Sequence, residues 1–441
     1  MSFLMVSLLC VISLGVILSI RVRFTRFFIL VIMLIFVTPL IISLFNPFGL
    51  FEVSSTVYTI AAFGYLSILF GFVTKRGMVK PQTNENYIES IEHFLSNKKF
   101  VIIYLLALGT LISLASTQWL MIAVLGGMGN LKLDVFEIVF GGNSALYFFY
   151  MVLLVPLFHL SSVTLALLIF NNKFNLYTLT LFIYSFVFCF IGGKRGYYAI
   201  MLEYFIIAYI LHRLLMPKQT IRKKKMPVIK LSIFVLVIFG GAGLMTTIGR
   251  SGTDADKDAL VDGMLENAEN FIKYQIGPYR ALDYAIQHDY IEKYGGYTLG
   301  RATFGGMIDY YGCGLLSRMG IPCTQVRALA MSPLQENSIV IGKDTEWNFS
   351  YTSFYYFLFD LGIFGVLIFS FLFGKFIRYS LNLFYKKQTL GSMVLLGYVF
   401  IACVNFSGSW FNVELYTQPA IILFIWLSKY EKRYASIPTK I

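Results

Sequence analysis

The sequence predicts an all-α polytopic membrane protein with one large loop domain outside the membrane. Of its 441 residues, 57% are hydrophobic and only 13% are charged, which is about half the charged share of soluble proteins. The apolar residues also fall into uninterrupted runs of roughly 20 residues, the length that crosses a ~30 Å hydrocarbon core. This composition excludes soluble enzymes and nucleic-acid-binding proteins.

Each apolar run is predicted to be a transmembrane helix. A backbone in lipid must satisfy its own hydrogen bonds, and the runs lack the alternation of barrel strands. They lie at residues 3 to 20, 27 to 46, 55 to 74, 100 to 125, 145 to 170, 176 to 191, 197 to 216, 231 to 249, 351 to 374, 388 to 407 and 416 to 428. The sequence therefore predicts a bundle of about 11 (10–12) helices.

The basic residues predict the orientation of the bundle. Alternate links and the C-terminal tail together hold 24 of the 36 Lys and Arg residues, and such links face the cytoplasm. The C-terminus is therefore predicted inside and the N-terminus outside. The formal charge of +13 then lies mainly at the cytoplasmic edge, where a basic run contacts anionic lipid more often than nucleic acid.

Three regions follow from this topology. Residues 1–249 are predicted to hold the first eight spans, residues 250–350 an outer loop domain, and residues 351–441 the last three spans and the tail. The loop domain carries 9 basic and 13 acidic residues. Its apolar spacing predicts one amphipathic helix over residues 260–272 and a second that begins near Pro278. Such helices either lie flat on the membrane or cover a cavity.

The cysteines and histidines show no metal-ligand spacing, so neither a metal nor another cofactor is predicted. Cys313 and Cys323 lie in the outer segment. An oxidising compartment would allow a disulfide there, and spacing alone leaves paired and free thiols equally open.

The strongest candidate site is the predicted outer turn Gly192–Gly196, which contains Lys194 and Arg195. Two cations at a helix N-terminus repel its positive dipole end unless an anion lies between them, and a phosphate suits that arrangement. The alternative is a hairpin whose cations extend to lipid headgroups. Arg250 ends the eighth predicted span on the same face, where a simple C-terminal cap explains it as well.

Other candidates are weaker. Arg280 and Arg301 lie in the outer segment, where most arginines form surface ion pairs. Asp360 falls inside the ninth predicted span; a buried acid there indicates either function or helix packing. Tyr351 belongs to an aromatic cluster at the outer helix ends, which either stacks on sugars or forms an interfacial belt.

Three local stretches carry a resemblance to a known family. They are the Gly192–Gly196 turn, the run Tyr297–Gly306 (YTLGRATFGG) and the stretch Tyr351–Gly365, which contains Asp360-Leu361-Gly362. Together with the order of the spans along nearly the whole chain, they resemble the Wzy-type O-antigen polymerases, which join oligosaccharide repeat units.

The resemblance implies a glycosyltransferase of the bacterial inner membrane with its active site at the periplasmic face. It would move a growing glycan from undecaprenyl pyrophosphate to a lipid-linked repeat unit, with inversion and retention both open. The implied partners are the undecaprenyl-pyrophosphate-linked oligosaccharide, membrane lipids and a chain-length regulator protein, but no nucleic acid.

Such a reaction needs groups that the residues above supply. The leaving pyrophosphate gathers negative charge, which fixed cations stabilise; the candidates are Arg195, Arg250, Lys194, Arg280 and Arg301.

The acceptor hydroxyl also needs a base, for which Asp283, His288 and Glu336 are the candidates. Tyr351 and Asp360 complete the predicted substrate-binding set.

Two other functions remain open at this stage. A lipid-linked glycan ligase resembles the polymerases in topology and arginine use but transfers the glycan to the lipid A core. A flippase or transporter of the same lipid carries out no reaction; it is expected to show internal repeats and broken helices at mid-membrane. The sequence shows no convincing repeat.

Overall fold

The computed structural model describes residues 1–74, 87–125, 139–191, 195–215, 257–293, 297–326, 338–343, 345–347 and 350–435. Helices dominate these ranges, and a single two-stranded hairpin accompanies them. The eighth predicted span, residues 231 to 249, lies outside the described residues.

Seven of the described helices are long and apolar enough to cross a membrane. They are Ser2–Ser19, Phe24–Phe45, Ser55–Val73, Lys98–Leu120, Ser144–Phe170, Ser353–Lys387 and Leu390–Ser407. Two shorter apolar helices, Leu176–Cys189 and Tyr197–His212, occupy the sixth and seventh predicted runs. The helix Thr417–Ala435 covers the last run but is not among the seven. Their length and composition are those of a helical, multi-spanning membrane protein, while the count of eleven stays a prediction.

The remaining described α-helices are shorter or lie within residues 250–350. They are Tyr87–Leu95, Lys257–Gln287, Tyr290–Lys293, Arg301–Phe304 and Gly306–Arg318. The long helix Lys257–Gln287 corrects one expectation, because it continues through Pro278 instead of ending before it. Gly277 lies so close to the Trp347 ring that a Cβ would come within 2.6 Å of it. The contact with Trp347 thus lies where the helix continues through Pro278, a residue that usually ends or kinks a helix.

Asparagines define several helix ends. Asn143 and Asn175 accept hydrogen bonds from backbone N–H groups in the first turns of the helices that follow them, as N-cap residues do. Asn46 ends the helix Arg23–Phe45 in the left-handed conformation, with φ 49°. Its Oδ1 also accepts a hydrogen bond from the backbone N–H of Leu50 at 3.0 Å, which fixes the chain reversal after that helix.

The chain packs into two compact units that interleave along the sequence. The first contains Met1–Lys80, Asn270–Asn382 and Ala402–Gln418; the second contains Pro81–Glu269, Leu383–Ile401 and Pro419–Ile441. These units do not follow the predicted regions 1–249, 250–350 and 351–441. The predicted regions were drawn by side of the membrane, and that assignment stays a prediction.

An aromatic cluster forms the core of the first unit. Phe36 stacks on Tyr65 with ring centroids 4.7 Å apart, and Phe354 meets Tyr65 edge-on at 5.1 Å. Gly64 permits this approach, since a Cβ there would lie within 2.1 Å of the Phe354 ring. The second unit packs in the same manner, with Phe158 stacked on Phe188 at 4.4 Å.

Residues 250–350 also contain the hairpin, which the sequence does not predict. Strands Ile339–Gly342 and Thr345–Trp347 pair in antiparallel fashion, and Leu50 forms a bridge with Gly342. The backbone N–H of Phe51 donates to the carbonyl of Ile341 at 2.8 Å. The hairpin therefore binds to the loop that follows the helix Arg23–Phe45.

The helix Ser353–Lys387 is kinked, and the kink positions the candidate site. Its backbone leaves the helical conformation at Leu361 (φ −144°, ψ 22°) and at Gly362 (φ 60°, ψ −145°). The φ of Gly362 lies in the region that residues with a Cβ rarely adopt. We call this element the kinked helix.

Candidate functional site

Two of the three stretches that carry the family resemblance meet at this kink. A kink leaves helical carbonyls without their usual partners, and the 297–306 segment supplies new ones. The backbone N–H of Thr298 donates to the carbonyl of Phe359 at 3.0 Å, and that of Leu299 donates to the carbonyl of Asp360 at 3.2 Å. The 297–306 segment is thereby paired with the kinked helix immediately before its break.

Asp360 anchors the same segment through its side chain. Its Oδ1 accepts hydrogen bonds from the Thr298 hydroxyl at 2.6 Å and from the Ala302 N–H at 2.9 Å, and its Oδ2 accepts one from the Thr303 N–H at 2.7 Å. The side chain is completely buried. A carboxylate that accepts free N–H groups at the start of a helical turn is favoured by charge as well as geometry. Of the two readings of Asp360, the geometry supports the packing role.

The opposite side of the 297–306 segment is held by the turn before the last described helix. The Thr303 carbonyl accepts from Trp410 Nε1 at 2.7 Å and from Asn412 Nδ2 at 2.8 Å. Gln418 Nε2 donates to the Phe304 carbonyl at 2.7 Å. The sequence predicts Trp410 to belong to the aromatic cluster that either stacks on sugars or forms an interfacial belt, and it does not predict the two amides as partners of this segment.

Arg301 is the first residue of the short helix within this anchored segment, and its side chain is half exposed. Its Nε and Nη2 donate to Asp309 Oδ1 at 2.9 and 2.7 Å, and Nη2 also donates to the Thr324 carbonyl at 2.9 Å. The Arg301 side chain is 45% exposed, against 7% for Asp309. Among the residues that the structure describes, none makes a hydrogen bond to Nη1. One edge of the guanidinium is thus fixed, and no described residue bonds the other.

A disulfide between Cys313 and Cys323 lies next to the edge of the Arg301 guanidinium that bonds Asp309. Arg301 Nη2 lies 3.3 Å from Cys313 Sγ. Asp309 contributes as well, because its Oδ2 accepts from the Val326 N–H at 2.6 Å. Of the two alternatives left by the sequence, the structure contains the disulfide. The loop, the carboxylate and the arginine therefore form one cross-linked group.

Arg280 has a different environment from the one expected of an anion ligand. All five of its N–H groups have acceptors: the Phe51 carbonyl, Ser43 Oγ, the Ser43 carbonyl, the Ile276 carbonyl and Asn46 Oδ1. Only 4% of the residue is exposed, and burial lowers its pKa from the ordinary arginine value. Arg280 satisfies the C-terminal end of the helix Arg23–Phe45, and no donor remains for a phosphate.

Asp283, one turn further along the same helix, is equally occupied. Its Oδ1 accepts from the Ser54 hydroxyl at 2.5 Å and its Oδ2 from the Ser54 N–H at 2.8 Å. Ser54 precedes the helix Ser55–Val73, and its own side chain makes no capping bond. Asp283 therefore caps that helix from outside, so both oxygens proposed for base catalysis are already bonded.

Tyr351 and His288 each stack on a neighbouring tyrosine. Tyr351 is completely buried and stacks on Tyr355, with ring centroids 3.9 Å apart. His288 is exposed; it stacks on Tyr284 at 3.8 Å, and its Nδ1 lies 2.8 Å from the Tyr284 carbonyl. A carbonyl accepts hydrogen bonds only, so Nδ1 carries the proton and Nε2 is the basic nitrogen.

Four predicted site residues have no described side chain. Lys194, Arg250 and Glu336 lie outside the described residues. Arg195 is the first residue of the helix Arg195–Leu215, as the sequence predicts, but its side chain is outside the description. The described part of the chain contains no group of three or more His, Cys, Asp or Glu residues that could hold a metal ion.

Comparisons with known proteins find no relative: no family model, no curated protein and no solved structure matches the chain.

Proposed function

We propose that this protein is an O-antigen-type polymerase, a glycosyltransferase that uses a polyprenyl pyrophosphate. It moves a growing glycan from undecaprenyl pyrophosphate to the terminal sugar of a lipid-linked repeat unit. The observation that carries the proposal is the half-exposed Arg301 within the 297–306 segment, whose guanidinium is held by Asp309 and the Thr324 carbonyl. That segment is one of the stretches that resemble the polymerases, and it is bonded to a second one at Asp360.

Arg301 is suited to the leaving group. Breaking the sugar–phosphate bond leaves negative charge on the pyrophosphate, and a cation that is held in place before the reaction stabilises that charge without reorganising. The bonds to Asp309 and Thr324 hold the guanidinium in place, and Nη1 remains for a phosphate oxygen. We propose that Arg195, Lys194 and Arg250 supply the other cations.

Two of the predicted site residues, Arg280 and Asp283, are not part of the site that we propose. Their polar atoms are bonded within the protein. For the base that takes the proton from the acceptor hydroxyl, His288 and Glu336 both remain in the proposal. His288 would accept that proton on Nε2.

Deletion of the gene tests the reaction class. With polymerase activity gone, the lipopolysaccharide ladder is expected to disappear while lipid A core with a single repeat unit persists. Loss of the single-repeat band as well would contradict the proposal and favour the ligase or the flippase.

A pair of variants tests the role of Arg301. Arg301→Ala is expected to abolish the ladder while the protein stays in the membrane, because the proposed phosphate contact is lost. Lys293→Ala, which removes an exposed cation from residues 250–350, is the matched control, so long chains should persist in it. Equal loss in both variants would mean that the effect is not specific to Arg301, and unchanged chain lengths in Arg301→Ala would remove that residue from the site.

A further inference from the structure

The helix Gly306–Arg318 has its apolar face turned outward. Ile308, Leu315 and Met319 are 69%, 61% and 66% exposed, and they lie one above another at helical spacing. The opposite face carries Asp309 and Cys313, which are turned into the protein. A helix in water arranges its faces the other way round, so this face needs an apolar neighbour.

The kinked helix indicates what that neighbour is. Between the kink and Lys375, the first charged residue beyond it, residues 361–374 form an apolar run about 21 Å long at ~1.5 Å per residue. This is shorter than the ~30 Å hydrocarbon core of a bilayer. The core must therefore extend along the whole run and reach the kink at Gly362.

The 297–306 segment lies beside this apolar run of the kinked helix. It is bonded to the kinked helix at Phe359 and Asp360, and the Phe304 ring meets the Phe369 ring edge-on with centroids 5.6 Å apart. Phe369 lies about 10 Å beyond the kink. Phe304 itself is 49% exposed. The segment thus reaches well past the kink, alongside a helix that crosses the membrane.

Protein side chains bond the backbone N–H and C=O groups of this segment, as irregular backbone within a membrane requires. Irregular backbone at membrane depth is tolerated only where protein groups bond its N–H and C=O groups. The carbonyls of Thr303, Phe304 and Gly305 accept from the side chains of Trp410, Asn412 and Gln418. The N–H of Ile308 donates to Gln418 Oε1 at 3.2 Å.

We infer that residues 297–319 are inserted into the outer half of the membrane, with the apolar face of the helix Gly306–Arg318 against lipid acyl chains. The kinked helix beside it also exposes large apolar side chains, such as Phe364, which is 69% exposed. This inference goes beyond the proposed reaction and does not depend on it.

Labelling of the unaltered protein in vesicles tests the inference. A hydrophobic carbene precursor dissolved in a phosphatidylcholine and phosphatidylglycerol bilayer is photolysed, the disulfide is reduced, and tryptic peptides are analysed by mass spectrometry. Peptide 302–318 is expected to be labelled several-fold more than peptide 281–293, and as strongly as peptide 344–375, which contains the apolar run of the kinked helix. Labelling of 302–318 no stronger than that of 281–293 would overturn the inference.

Spin labels give the same test at single residues. Cysteines at Ile308, Leu315 and Glu292 are labelled one at a time in protein whose three free cysteines are replaced by alanine and whose disulfide is kept. In lipid nanodiscs, the first two labels should collide more with oxygen than with an aqueous nickel complex, and the exposed Glu292 position should do the reverse. Nickel access at Leu315, protection from both reagents, or spin coupling between copies would each contradict lipid contact, by indicating water, a covering segment or a second chain.

Discussion

Replacing Asp360 with asparagine is expected to release the 297–306 segment from the kinked helix. The carboxylate accepts three hydrogen bonds, from Thr298, Ala302 and Thr303, and none of the donors can turn away without moving the backbone or the threonine side chain. In the amide, one of the two oxygens becomes an NH2 group that faces an N–H or a hydroxyl. The variant therefore has no negative charge at this anchor, and its NH2 group faces one of the donors that the carboxylate bonded.

The size of the effect follows from these contacts. A hydrogen bond to a charged group contributes about 1.5–3 kcal/mol, and a buried donor without an acceptor costs about 1–3 kcal/mol. We count the loss of one such hydrogen bond together with one donor left without an acceptor, and we allow for partial relaxation of the neighbouring groups. The anchor then weakens by about 3 kcal/mol. Each 1.4 kcal/mol is a tenfold change in an equilibrium constant, so local opening becomes roughly 150-fold more frequent.

Hydrogen exchange measures this opening directly. In the purified protein, the peptide that contains residues 298–303 should exchange roughly 150-fold faster in Asp360→Asn than in the wild type, while peptides from the helix Ser55–Val73 keep their rates. Asp289→Asn, which removes an exposed carboxylate from the same outer segment, is the matched control and should change nothing. Unchanged exchange at 298–303, or an equal increase throughout the protein, would refute the anchoring role.

Three further substitutions probe the first unit, each by thermal unfolding in detergent. Gly306→Ala should destabilise the protein by about 1–3 kcal/mol because its φ is +43° and a carbonyl oxygen would lie 2.5 Å from the new Cβ. Gly312→Ala is the control, since the space around Gly312 is open. Equal melting temperatures of the two variants would contradict the predicted strain at Gly306. Arg280→Lys should cost roughly 2–4 kcal/mol because five donors become three, and an unchanged melting temperature would rule out its structural role. Replacing Cys313 and Cys323 together by serine should cost about 3 kcal/mol; the same melting temperature with and without reductant in the wild type would contradict this.

The helices were predictable because the bilayer leaves the backbone few alternatives. A run such as residues 55 to 74 has to be helical in lipid, and the structure has the helix Ser55–Val73 there. Pro278 was read wrongly because propensity favours a break at proline, and the packing of Gly277 against Trp347 is not visible in the local sequence. The hairpin Ile339–Trp347 was missed for the same reason, since part of its pairing is with Leu50.

The chemistry of single residues was less predictable than their positions. Arg280 and Asp283 have the composition of a site, but their partners, Ser43 and Ser54, lie more than two hundred residues earlier in the chain. Sequence spacing carries no signal for such contacts, so a helix cap and a catalytic carboxylate look alike. Arg301 differs because its ion-pair partner, Asp309, lies only eight residues away, within the range over which sequence spacing is informative.

The most direct test of the central claim is polymerisation by the purified protein. The protein is reconstituted in vesicles with a purified undecaprenyl-pyrophosphate-linked repeat unit from the organism that carries the gene, and the masses of the released glycans are measured by mass spectrometry. The account predicts products of two and more repeat units with the wild type and single units with Arg301→Ala. Single units only, from wild-type protein that is correctly folded and carries its disulfide, would contradict it.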